Sequence, residues 1–264
     1  MLINTVILFI KDLLPIFILL CLVSCHIKLS ELSINRLLFI FLSSVLGIMA
    51  TFYFLPTMAE LFEGAGIELL KTVELILVYF CLLFGCSFLI TQDKISAHNR
   101  HLLTVGIIVF IVVNASQFIV FLDSYVASSQ TVREVLAGLS IGLGICLSFS
   151  ALLYFSLLWM IAKEHFILIY LMLALFLTGQ ITQVVSLLQQ VDIIQSSEVF
   201  WDSSDWIQNS SEYGHLFKTL FGYEAKPSEE FILLYIISLL IFSGYYFTLL
   251  ILKRYQQYDI AKET

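Results

Sequence analysis

Charge is scarce in this chain: 12% of its 264 residues are charged and 60% are hydrophobic. Soluble domains carry about 25% charged and about 45–50% apolar residues. The shortage excludes a water-soluble globule, as does the mean hydropathy of +0.98. The net charge of −7 comes from groups gathered at segment ends and in one late stretch, which sets nucleic-acid binding aside. The first apolar run has no basic leader and no small-x-small cleavage site, so it reads as a retained helix and not a signal peptide. Cysteine is missing from the polar connections; Cys21, Cys25, Cys81, Cys86 and Cys146 all fall in apolar segments. That excludes a disulfide framework and makes them small core residues. Cys21, Cys25 and His26 also form a weak soft-metal pattern, because an i, i+4 spacing brings two sulfurs together. No P-loop, dinucleotide fingerprint or nucleophile-base-acid set occurs, so an enzyme is not expected.

What is present is a series of long apolar runs. Taking about 20 apolar residues per bilayer crossing, seven spans are expected, at 4–25, 37–57, 67–90, 102–122, 135–162, 166–190 and 231–252. The expected fold is thus an all-α integral membrane protein. Lys28, Arg36, Lys94, Arg100, Lys163, Lys253, Arg254 and Lys262 sit in alternate connections and the tail, whereas 58–66 and 123–132 lack Lys and Arg altogether. By the positive-inside rule the N-terminus is outside and the C-terminus inside. Arg133 departs from this pattern, and Glu134 beside it offers local neutralisation. The stretch 191–230 holds eight acids together with Trp201, Trp206 and Tyr213. It reads as an acidic outer loop, either merely solvated or able to collect cations or dock a partner.

A few polar residues lie at membrane depth. Burying one charge in hydrocarbon costs about 2.5–3.5 kcal/mol on insertion scales, so "ILFIKDLLPIFILL" needs a reason for Lys11 and Asp12. Mutual neutralisation, snorkelling of Lys11 towards the interface and a functional site all remain open. Glu68, Lys71 and Glu74 recur every three residues as one stripe, in which the lysine can pair with either carboxylate. Glu74, the deepest, alternatively faces an aqueous path. Asn114 and Gln117 share a helical face and offer carbonyl oxygens to a cation or to another helix. Gln180, Gln183, Gln189 and Gln190 provide further amides in the sixth span. Gly138, Ser140, Gly142 and Gly144 form a small-residue face that reads as a packing seam.

Several stretches together resemble one family. "ELFEGAGIELL" resembles an E-x-x-F-E-G helix opening, "VLAGLSIGLGICLSFSALLYFSLL" a glycine-rich fifth helix, and "LTGQITQVVSLLQQVDII" a sixth helix ending in L-Q-E. "WDSSDWIQNSSEYGHLFKTLFGYEAKPSEEFILLYIISLL" follows a W-D-x-S, then L-x-G-Y-x-x-x-P-S, then last-helix pattern. In this order and spacing they resemble, nearly end to end, the high-affinity iron permease family, the fungal permeases and bacterial relatives that work beside an oxidase or a periplasmic iron protein.

The resemblance implies R-E-G-L-E type motifs in the first and fourth helices, whose glutamates pass iron. Carboxylates at i and i+3 share one face and are hard ligands suited to iron. The first motif falls here on Lys11-Asp12-Leu13-Leu14-Pro15, the second on Val113-Asn114-Ala115-Ser116-Gln117. The family's carboxylates are thus reduced to one aspartate, with amides at the second site. The implied ion pathway is Asp12, Lys11, Asn114, Gln117 and Glu74, with Asp12 as the metal ligand and Glu60, Glu63 and Asp123 collecting cations at the outer mouth.

The expected organisation is a three-helix repeat over 1–92, a second, inverted one over 93–190, the outer loop 191–230, and a seventh span with a cytoplasmic tail over 231–264. The expected function is permease-like transport of iron ions into the cytoplasm across a bacterial inner membrane, from an iron-binding or oxidase partner at 191–230, with no tightly bound cofactor. The alternative is a non-transporting membrane subunit or sensor that keeps the fold and binds a partner.

Overall fold

The structure, a computed structural model, describes residues 2–25, 34–87, 96–128 and 132–263. His26, Lys28 and Lys94 lie outside the described residues, as do the side chains of Asp123, Glu134, Arg254 and Lys262. What is described is almost entirely helical and contains no strand; Val199 and Ser228 form one isolated antiparallel bridge.

The first apolar run is not one uniform helix. It consists of α1 (Leu2–Leu8), a π-helical turn (Phe9–Leu13) and α2 (Leu14–Ser24). There follow α3 (Ile34–Glu60), a 3₁₀ turn (Leu61–Gly64), α4 (Gly66–Gly85), α5 (Ala97–Ser128) and α6 (Val132–Ala162). The expected sixth span is two pieces, α7 (Phe166–Ile181) and α8 (Gln183–Gln190), meeting at Thr182. Within the expected outer loop lies α9 (Glu212–Phe221), and α10 (Glu229–Glu263) ends the chain.

Among the described residues, six helical stretches are long and apolar enough to cross a membrane: Thr5–Ser24, Ile34–Gly64, Ala97–Val120, Val135–Ala162, Phe166–Gln190 and Glu229–Lys253. The expected third span, α4, has the length, 20 residues. Glu68, Lys71 and Glu74 keep its composition from marking it as a span in the same way.

The core lies where the first run, α4, α5 and α7 meet. Leu14, Ile18, Leu22, Tyr79, Phe110 and Phe176 are all buried there. The Phe110 and Phe176 rings meet edge to face with centroids 6.0 Å apart. By contrast α3 fully buries only Ser44 and leans on α5, where Gly47 admits Val112: a Cβ at Gly47 would come within 2.6 Å of Val112 Cγ2. α10 is tied on by two tyrosines, with Tyr79 Oη donating to Ser238 O at 2.6 Å and Tyr170 Oη donating to Phe242 O at 3.0 Å.

The expected small-residue seam exists in part. A Cβ at Gly138 would lie 2.7 Å from Thr5 Cβ, and one at Gly142 would lie 2.5 Å from Phe9 Cδ2. The seam continues along the same face, since Cys146 Sγ approaches Phe9 O at 3.7 Å and Cys21 Sγ donates to Ser150 O at 3.4 Å. The contacts advance together along both helices, so α6 and the first run are parallel. Gly144 and Ser140 do not belong to this seam: nothing lies within 4 Å of a Cβ at Gly144, and Ser140 is exposed.

Candidate functional site

The π-helical turn coincides with the Lys11-Asp12 pair. Leu14 N–H bonds Phe9 O, five residues back, where an α-helix would bond four back. Single π turns of this kind recur at functional sites. The next donor in that register would be the amide of residue 15, but proline has none, so Ile10 O is left over. The hydroxyl of Thr219 on α9 lies 3.3 Å from Ile10 O and 2.8 Å from His215 O, so its one hydrogen is shared between the two carbonyls.

The turn separates the two charges. Lys11 is exposed, whereas Asp12 is 3% exposed and its Oδ2 has no hydrogen-bond partner among the described residues. Lys71 on α4 approaches closely enough for its charge to act on Asp12, as does that of Lys11. Asp12 therefore sits inside the bundle in the field of two cations.

The structure brings the two expected motif positions together. Phe9, beside Lys11, packs edge to face on Phe118, beside Gln117, with ring centroids 4.9 Å apart. The functional groups nevertheless point to different places. Asn114 Nδ2 donates to Phe110 O within its own helix at 2.9 Å. Gln117 lines a cavity of about 640 Å³ between α3, α4 and α5, and Glu74 and Lys71 line the same cavity. Asp12 and Asn114 are not among its lining residues. Ser116, inside the second motif, also lines it.

The end of the cavity at Met58 and Ile67 flanks the α3–α4 turn, where Glu60 and Glu63 are exposed. Phe62 and Glu63 are both left-handed there, with φ of 54° and 59°. Among the described residues no group of three or more His, Cys, Asp and Glu is placed to share a metal ion. Cys25 Sγ donates to Leu22 O at 3.1 Å.

The stretch 191–230 is a folded cap. Gly179 of α7 and Gly222 at the end of α9 meet backbone to backbone: a Cβ on Gly179 would come within 2.5 Å of Gly222 N. Gly222 also takes a φ of 69° to end the helix, and glycine alone suits both demands. Ser211 caps the other end of α9, accepting Gly214 N–H at 3.0 Å. The amides of the expected sixth span fasten this cap. Gln180 Nε2 reaches Thr219 O at 3.4 Å, Gln183 Nε2 bonds Gln180 Oε1 at 3.0 Å, and Gln189 Nε2 bonds Ser228 Oγ at 3.1 Å.

Several of the cap's acids are engaged internally. Lys218 pairs with Glu224 at 2.6 Å and Lys226 with Asp202 at 2.8 Å, while Asn209 also bonds Glu224. The hydrogen bonds from Lys226 and Ser204 push Asp202 down to about 2. His215 on α9 is held below the usual imidazole range by burial and then by the charges of Lys11 and Lys218, which places α9 beside the first charge pair.

Lys71, Ser116 and Thr219 are the members of this region that were not expected among the site residues. Lys71 was signalled by its place in the Glu68-Lys71-Glu74 stripe, and Ser116 by its neighbours Asn114 and Gln117. Thr219 carries no local signal. No family model, curated protein or solved structure matches the chain.

Proposed function

We propose that this chain is an iron permease-like transporter that moves iron ions into the cytoplasm from an extracytoplasmic donor, across a bacterial inner membrane. In this reading α4 is a seventh crossing, the N-terminus is outside and the C-terminus inside. The first six crossings form an inverted 3+3 repeat. The cargo comes from the motif resemblance. The observation that supports a transport path is the packing of the π-interrupted first run, with its buried Asp12, against the part of α5 that carries Gln117. Interrupted helices that expose backbone and polar groups at membrane depth are how many carriers build a substrate site.

Asp12 is then the principal iron ligand. The amide nitrogen of Asn114 is engaged within its helix, which leaves its carbonyl oxygen, like that of Gln117, as a neutral donor. Glu60 and Glu63 collect cations outside. The test is uptake of radiolabelled iron into liposomes containing only this protein. Wild type is expected to load iron and Asp12→Asn to abolish loading; unchanged uptake by the variant removes Asp12 from the path.

A second reading is favoured by the two lysines acting on Asp12, since a dehydrated iron ion needs anionic compensation that nearby cations oppose. In it, the protein is a non-transporting subunit or sensor whose cap binds a partner through exposed Phe200, Trp201, Trp206 and Tyr213. It predicts co-purification of a second protein that is lost when residues of this aromatic set are replaced by serine. Stoichiometric iron that disappears with Asp12→Ala counts against it.

A further inference from the structure

The cavity walled by α3, α4 and α5, at about 640 Å³, is of a size that holds a small organic molecule. Most of its surface is apolar, including Phe54, Leu55 and Met58 from α3 and Val112 from α5. Lys71, Glu74, Ser116 and Gln117 interrupt that surface. Thr51 also faces it, but its hydroxyl donates to Gly47 O at 3.0 Å. Ser116 is only 6% exposed, and its Oγ has no hydrogen-bond partner among the described residues. That oxygen has almost no accessible surface, so the polar residues open to an occupant are Lys71, Glu74 and Gln117.

The charges decide what the occupant is. The field at Lys71 comes first from Glu68, next from Asp12, then from Lys11 and last from Glu74. Lys71 is thus compensated chiefly by Glu68 and Asp12, neither of which lines the cavity. At Glu74 the acting charge is that of Lys71, and no direct ion pair joins the two among the described residues. Glu74 is the least compensated charge facing the cavity. An anionic occupant would meet that carboxylate unpaired. A bare divalent metal would find one carboxylate and one neutral amide oxygen where hard cations take six or more ligands. A primary ammonium has three N–H donors, which the Glu74 carboxylate and Gln117 Oε1 can accept, and its organic remainder suits the apolar wall.

We propose that this cavity binds an organic ammonium ion with an apolar body, held by Glu74 and Gln117. The site goes beyond the iron reading: the two share Gln117, but Asp12 lies outside the cavity wall, so Glu74→Gln tests this site and Asp12→Asn the iron path.

The experiment is equilibrium binding of radiolabelled phenethylamine to the full chain in nanodiscs, with empty nanodiscs as background. Phenethyl alcohol and 3-phenylpropionate serve as neutral and anionic competitors of matching shape. Saturable binding is expected, displaced by unlabelled amine and at least about tenfold less well by either competitor. Glu74→Gln is expected to weaken binding about tenfold or more, and Gln117→Leu several-fold. Lys71→Met removes a like charge from the cavity and is expected to tighten it. Glu74→Gln and Lys71→Met each remove a charge from membrane depth, so a folded, monodisperse variant is expected, and size-exclusion chromatography checks it. Absence of saturable binding to wild type, equal binding by Glu74→Gln, or weaker binding by folded Lys71→Met would each overturn the proposal. The Lys71→Met result also separates an ammonium from a zwitterion, whose carboxylate would need that lysine.

Discussion

Pro15 and Thr219 solve one problem from two ends of the chain. Proline removes a backbone donor, the π turn shifts the vacancy onto Ile10 O, and a threonine hydroxyl from another helix meets it at 3.3 Å. Replacing Thr219 by valine keeps the shape and deletes the donor. Leaving a buried acceptor unpaired costs about 1–3 kcal/mol, so Thr219→Val is expected to lower the melting temperature of the detergent-solubilised protein, whereas Thr219→Ser is expected to retain it. Equal melting of valine variant and wild type would show that Ile10 O does not rely on this hydroxyl. The peculiarity of Lys11, Asp12 and Pro15 is plain from residue order alone, because charges and a helix breaker stand out in an apolar run. Their partners are not: Lys71 and Thr219 reach them only through the packing of distant helices, which periodicity within one segment does not encode.

At the scale of helices, the seam between α6 and the first run is set by side-chain size. Small residues at 138, 142, 146 and 150 repeat every four positions, so one face of α6 stays narrow enough for Thr5 and Phe9 to press against its backbone. Gly142→Ala places a methyl against both the ring and the Cβ of Phe9, and such overpacking costs about 1–3 kcal/mol. Gly144→Ala meets open space and is expected to leave stability unchanged or raise it by up to about 1 kcal/mol, the ordinary gain of alanine over glycine in a helix. Thermal unfolding of the pair measures the contrast; equal effects would mean that the seam is not tight. The glycine-rich character of this helix is legible from the sequence. Which glycines face inward is less so, because three glycines within seven residues suit two faces of a helix, and only Thr5 and Phe9 choose between them.

For the molecule as a whole, most helices follow from the lengths of the apolar runs, because backbone groups in hydrocarbon have few alternatives to helical pairing. The folded state of 191–230 does not follow in that way. Its acids suggest a solvated loop until Asn209, Ser203 and the two lysines are seen closing it through polar contacts far apart in sequence. One clasp has a defined pH dependence. Asp202 in the folded cap titrates at about 2 against an ordinary 3.8, and Lys226 lies above its ordinary value because of the same bond. The aspartate's contribution is therefore complete above 3.8 and is lost as pH falls through about 2; that of the lysine is complete below its ordinary value and lost on strong alkalinisation. Carboxyl carbon shifts of Asp202 are expected to report the low midpoint in wild type and a value nearer 3.8 in Lys226→Met. An unchanged midpoint would assign the shift to Ser204.

The bond between Thr219 and Ile10 spans 209 positions of the chain, and this orders synthesis: Thr219 is added only after α8 has been made. Throughout that interval the π-interrupted segment holds a carbonyl that its own helix leaves unanswered. That segment is thus completed late, and a ribosome that stalls before residue 219 releases a chain in which it is still unfinished.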